Sequence, residues 1–188
     1  MQMYELAKNI LSLSKDNKLN KVRFAKTIYF VHKELIRSNL ASKDSFRYIR
    51  MPLGPVPQDF MDIDKIGNDI KVEKINSPRL QFDAFSYSTN KPFRGSEEVK
   101  SIISSTLIKL QNYQTSNLVE ASHMDPSWLS RPNGIVYSIT DDDLKNGLEI
   151  LEITKRNTKD ENDAMRRALI NGMLKDIVEE TTNLEYSS

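Results

Sequence analysis

The chain contains no cysteine, which excludes a disulfide framework, a thiolate zinc site and a cysteine nucleophile together. Only two histidines are present, His32 and His123, so few combinations of nucleophile, base and metal ligand are open. Neither sign of charge dominates: 27 Lys and Arg stand against 26 Asp and Glu, a formal net charge of +1. That balance gives no general pull toward nucleic acid or an anionic membrane. No apolar run approaches the length needed to cross a bilayer. Met1-Gln2-Met3-Tyr4-Glu5 lacks the charged and apolar regions of a signal peptide, so the cytoplasm is the expected compartment. Repeats at a fixed period and low-complexity tracts are also missing.

What remains is an ordinary globular composition, 38% hydrophobic and 28% charged over 188 residues. That is the size of one domain with a real core, stabilised by packing. The stretch from Asn17 to Phe60 organises it. From Val22 the apolar residues fall on two stripes of helical period, Val22, Ala25, Tyr29, Ile36 and Phe24, Ile28, Val31, Leu35. A helix apolar on more than one face is central. Asn17 or Asp16 is the expected cap of this helix. Met51-Pro52-Leu53-Gly54-Pro55-Val56-Pro57 follows. Its prolines fix φ and push the preceding residues toward extended geometry, so the passage is stiff and non-helical. It is either a structural corner or a rigid recognition lip beside a cleft. His32, on a half-apolar helix, reads as a packed or edge residue.

Elsewhere the patterns predict a helix over about Met3 to Ser14 and a short one over Gln58 to Ile66 with Phe60, Ile63 and Ile66 on one side. An antiparallel hairpin over about Ile70 to Tyr87 is indicated by the alternation of Leu80, Phe82 and Ala84. Phe85 and Tyr87 take the opposite parity. Ser96-Glu97-Glu98 opens a helix buried through Val99, Ile102, Ile103, Leu107 and Leu110. A shorter helix with Leu118, Val119 and Ala121 leads to Ser122-His123-Met124-Asp125-Pro126-Ser127-Trp128, where Asp125 and Pro126 form a cap and first-position pair. Thr140-Asp141-Asp142-Asp143 is a capping box, not a calcium loop, with Leu144, Leu148 and Leu151 on the face that follows. Past a polar linker, Lys155 to Lys159, an amphipathic helix from about Asp160 to Glu180 carries Met165, Leu169, Met173 and Ile177 on one stripe, broadened by Ile170, Leu174 and Val178. It is placed to dock on the domain or on a partner. The fold class is mainly α (α+β): a compact helical domain over residues 1–154 with a small antiparallel hairpin or sheet, then a linker and docking helix over 155–188.

The order of features resembles the Panacea domain, the SocA-like antitoxin domain met in phage-associated bacterial proteins. The residues that carry the resemblance are Lys18-Leu19-Asn20-Lys21 and Ile28-Tyr29-Phe30 on a helix, the turn ending Gly54-Pro55-Val56-Pro57, and Ser122-His123 with Trp128. Leu53 replaces the family's usual aromatic residue before Gly-Pro, and Val22 and Arg23 alter the helix motif. The likeness extends over about Met3 to Leu151. It implies a mainly helical domain with a small β element in which Leu19, Lys21, Tyr29, Phe30, Gly54, Pro55, Ser122, His123 and Trp128 are structural. It also implies an antitoxin that neutralises a cognate protein toxin by direct binding, or delivers it to a protease. No catalytic residue, metal or cofactor is expected, and no direct contact with nucleic acid.

From the residues themselves, Leu53, Gly54, Pro55, Val56 and Pro57 and the C-terminal helix are candidate toxin contacts. His123 and Trp128 packing against the Pro-Gly turn would join distant halves of the domain. Asp125 orienting His123 is the arrangement that a catalytic reading needs. The alternatives are a phage-associated regulatory or DNA-associated protein, and a small hydrolase or transferase using His123 or His32. A symmetric homo-oligomer through the C-terminal stripe is a further expectation.

Overall fold

The computed structural model describes residues 1–75, 84–155 and 163–174. It has a mainly helical α+β fold, and its organising element is helix α2, Lys21–Arg37. Every residue from Phe24 to Lys33 is buried, because other elements pack on all its sides. These are helix α1 (Met3–Leu13), helix α4 (Glu97–Leu110), helix α5 (Thr115–His123) and two small sheets. The first sheet joins strands β1 (Lys18–Asn20), β5 (Ala84–Ser88) and β4 (Lys71–Ile75) in the order β1-β5-β4; the second joins β2 (Tyr48–Ile49), β3 (Val56–Pro57) and β6 (Val136–Tyr137) in the order β3-β2-β6. All pairings are antiparallel. Phe24 anchors the main core through edge and tilted contacts with Phe60 and Tyr87, at centroid distances of 5.5 and 5.4 Å.

Local rules explain most boundaries. Ser96 caps α4 by accepting from Val99 N, and Arg23 of α2 donates to the carbonyls of Leu110 and Tyr113 at its other end, 2.8 and 3.0 Å away. Helix α6, Pro126–Leu129, starts on a proline, whose missing N–H costs nothing there. Thr140 and Asp143 form the expected capping box of α7, Asp141–Lys145.

Several expectations are corrected. Lys18–Asn20 is strand rather than helix, paired through Leu19 with Tyr87. Asp16 and Asn17 do not cap α2: they lie at φ 58° and 50° in a tight turn, and Asn20 takes the N-cap position. The face through Leu144, Leu148 and Leu151 is split, since the chain leaves helix after Lys145 and resumes it in α8, Ile150–Thr154. Ile66, at the end of helix α3 (Ile63–Ile66), is exposed. In β5 the two parities reflect a strand covered on both faces rather than a bulge: Ser86 and Tyr87 are both buried, and Tyr87 and Phe85 pack on the main core. Leu80, Phe82, Ile177 and Val178 lie outside the described residues.

His32 is an enclosed core group, 1% exposed and stacked on Phe46 at 4.1 Å. Its Nε2 lies 3.2 Å from Ser42 O, and a carbonyl oxygen can only accept, so Nε2 carries the proton. Nδ1 therefore accepts from the Tyr48 hydroxyl at 2.9 Å. Burial pushes its pKa down from 6.5 to about 4. The unfolded chain thus binds the extra proton first. The stabilisation is complete above pH 6.5 and is lost as pH falls toward 4, by about 3 kcal/mol in all. Unfolding free energies measured from pH 7 down to 5 should fall in the wild type, and His32→Gln should remove roughly 2 kcal/mol of that slope.

Candidate functional site

One face of α2 turns polar side chains into the interior. Lys26, Tyr29 and Lys33 recur at i, i+3 and i+7, one helical face, and meet the segment from Ser122 to Trp128. Lys33 Nζ donates to both Asp125 carboxylate oxygens at 2.9 and 2.7 Å, the Tyr29 hydroxyl donates to Oδ2 at 2.6 Å, and Asn146 Nδ2 donates to Oδ1 at 3.1 Å. Lys33 and Asp125 are both 1% exposed. Burial pushes the Asp125 carboxyl above its usual range, with Lys33, Tyr29 and Asn146 pulling it back. The Tyr29 phenol is raised well above its ordinary value by burial and then by the Asp125 charge.

This occupancy corrects two expectations. Asp125 stands at the N-cap of α6, but its side chain makes no capping bond. Nor does it orient His123, since its two oxygens take donors from Lys33, Tyr29 and Asn146. Ser122, fully buried, donates its hydroxyl to Val119 O at 2.8 Å. The adjacent Ser122 and His123 side chains thus serve different neighbours. Among the described residues no group of three or more His, Cys, Asp or Glu side chains is placed to hold a metal.

The proline-glycine turn is fastened at two points. Lys26 Nζ donates to Pro55 O at 2.6 Å, and burial holds this amine well below the usual lysine pKa. Trp128 Nε1 donates to Met51 O at 3.0 Å. The His123 ring lies 3.9 Å from Trp128 and nearly parallel to it, while the Arg50 guanidinium sits 4.1 Å from the indole centroid. The turn, Ser122, His123 and Trp128 are therefore one assembly. Of the five lip residues, Gly54, Pro55 and Pro57 are buried, whereas Leu53 and Val56 are half-buried. Leu19 lies in β1 and Lys21 opens α2, both half-buried, and Phe30 belongs to a second core with Leu118 and Leu151.

Sequence reading missed Lys26, Lys33, Arg50 and Asn146. The two lysines left a signal: they stand two turns apart inside an apolar run, on the face of Tyr29. Arg50 and Asn146 left none, because only the fold brings them to Trp128 and Asp125.

A helix, α9, runs over residues 163–174 and closes the assembly on one side. Between it and α5, α6 and α8 lies an open cleft of about 390 Å³, lined by Glu120, His123, Met124, Trp128, Leu129, Ile153, Thr154, Ala168 and Asn171. The expected apolar stripe is only partly covered: Met165 and Leu169 are half-buried and Met173 is exposed. The fully buried face is Ala164, Ala168 and Gly172, and at Gly172 the backbone of Pro52 approaches too closely for a side chain.

Such an assembly, with its charges buried and a tryptophan bound to a stiff turn, sits at the centre of a mainly helical α+β domain. The chain belongs to the SocA-like antitoxin family: the family model described as Antitoxin SocA-like, Panacea domain, matches residues 24–129, more than half of the 188. The match opens where α2 becomes buried and closes on the last residue of α6, a narrower span than Met3 to Leu151. No curated protein and no solved structure matches the chain. Among the described residues no helix is long and apolar enough to cross a membrane.

Two outcomes test the geometry. Gly54 has φ +90°, and a Cβ there would stand 2.3 Å from Ser122 Oγ. Gly54→Ala should cost about 3 kcal/mol in denaturant unfolding, combining backbone strain with overpacking. Asp125→Ala leaves the Lys33 ammonium buried without its carboxylate and should cost about 3–5 kcal/mol, most of it recovered in Lys33→Met/Asp125→Ala.

Proposed function

We propose that this chain is the antitoxin of a toxin–antitoxin pair and neutralises its cognate protein toxin by direct binding. The observation that carries the reading is the family match over residues 24–129, which takes in most of α2, the proline-glycine turn and Trp128. The geometry supports binding rather than turnover. Lys26, Tyr29, Lys33, Ser122 and Asp125 are all engaged in holding buried structure. What the molecule offers outward includes exposed apolar side chains at Met51, Met124, Leu129, Ile153, Ile170, Met173 and Leu174. Met51 is bound to Trp128 through its carbonyl, and Met124, Leu129 and Ile153 line the cleft beside α9. Exposed apolar side chains gathered in one region mark a protein contact better than scattered ones.

In this reading residues 1–154 form the binding domain and 155–188 a linker and accessory helix, acting in the bacterial cytoplasm without a cofactor. Delivery of the toxin to a protease is the variant in which the same contact serves as an adaptor. The test is capture of the tagged chain with its partner from the native host, followed by growth of cells expressing that partner alone and with this chain. Growth arrest relieved by co-expression establishes the pair. A partner that is harmless alone, or arrest that persists with the chain present at equal level, overturns it.

A further inference from the structure

Helix α9 lies outside the residues matched to the family model, yet it is seated on the part of the domain that holds Trp128. Ala164 and Ala168 are 3% and 2% exposed, and with the buried Gly172 they form one face at i, i+4 and i+8. The approach at Gly172 is close. Arg50 Nη1 reaches Gly172 O at 3.5 Å, and a Cβ on Gly172 would stand 2.0 Å from Pro52 O. Unlike the end of a flexible side chain, that carbonyl cannot move aside.

Three bulkier side chains of α9 look the other way: Ile170, Met173 and Leu174 are 52, 51 and 51% exposed, whereas Met165 and Leu169 are half-buried. Helix stability in proteins comes mainly from packing an apolar face, and α9 rests its smallest side chains on the domain. Two methyl groups and a glycine bring little apolar area to the centre of the contact, which is easier to reverse than one built on leucines at those three positions. Beneath and beside it stand an arginine and a tryptophan, residue types over-represented among those that dominate binding energy. The cleft between Leu129, Ile153 and Ala168 has room for a branched aliphatic side chain, and Ala168 contributes only a methyl group toward it.

We propose that Pro52, Arg50 and Trp128 form a helix-docking groove that α9 occupies in cis, and that the toxin enters it with a helix carrying small residues at the same spacing, displacing α9. The identity of the occupant rests on the antitoxin reading; the groove itself does not. The seated helix shows which chemistry fits: glycine against Pro52 and alanine along the groove. A partner helix that adds a leucine or isoleucine beside the alanine facing the cleft gains contacts that α9 leaves unmade.

The experiment uses the full chain and its single tryptophan. Gly172→Leu drives a side chain into Pro52 O and lifts α9. Trp128 emission should shift to the red and its quenching by acrylamide should rise severalfold, with far-UV circular dichroism retained. Ala164→Arg loads the same face at a different point and should reproduce the shift, whereas Met173→Ala, on the outward face, should not. A fluorescein-labelled peptide of residues 163–174 should bind the Gly172→Leu chain at least tenfold more tightly than the wild type, and the peptide carrying the same Gly→Leu change should bind neither. Purified toxin should compete with the wild-type peptide and bind the Gly172→Leu chain about tenfold more tightly.

Unchanged Trp128 emission in both face variants, or no peptide binding to the lifted chain, overturns the groove. Peptide exchange without toxin competition removes the toxin as occupant and leaves the antitoxin reading standing. A lifted chain that becomes a concentration-dependent dimer names a second copy as the occupant, against the proposal. If the wild type relieves no arrest, the antitoxin reading falls and the toxin falls with it as occupant.

Discussion

The buried carboxylate of Asp125 is the constraint on which the rest of this structure depends. It joins α2 to a segment more than ninety residues away through Lys33 and Tyr29, and takes a further donor from Asn146. A charge pair with both members 1% exposed is costly to desolvate, and hydrophobic replacements of similar volume are often as stable. Its value lies elsewhere. Only one placement of α6 against α2 gives the carboxylate all its donors, so the network selects a single arrangement of two halves that apolar packing alone would hold less specifically.

Once α6 is placed, the neighbouring features follow. Trp128 comes within reach of Met51 O, and the turn it anchors must pass so close to Ser122 that residue 54 cannot carry a Cβ. Lys26 supplies the turn's second tether at Pro55. The same logic of close approach recurs at Gly172 against Pro52. Two glycines thus mark the two sides of the turn, one facing the core and the other facing α9. Lys26, Tyr29, Lys33, Ser122 and Asp125 are thus taken up in holding buried structure, while the apolar side chains of Met124, Leu129 and Ile153 stand exposed beside the cleft.

Much of this was legible beforehand. The two stripes of α2 predicted a central helix, the Ser96 and Thr140 caps started their helices where expected, and the Pro-Gly turn with Ser-His and Trp128 pointed to the family. The misses have physical causes. Lys18–Asn20 became strand because β5 offered an unpaired edge, a long-range partner that no local propensity reveals. Asp125 left its capping role because two α2 side chains offered stronger, charge-assisted partners. In α9 the larger apolar stripe lost to Ala164, Ala168 and Gly172 because close backbone approach to Pro52 mattered more than side-chain size.

The sequence by itself determined where helices begin, where the chain must be stiff, which helix is central and which family the domain belongs to. These depend on neighbours a few residues apart: dihedral restriction at proline, capping side chains and apolar period. Tertiary structure alone decided that Lys26 and Lys33 point inward, that Arg50 and His123 both lie on Trp128, and which face of α9 meets the domain. Each of those requires groups tens of residues apart to compete for the same buried space, and the outcome depends on distances that only the assembled fold defines.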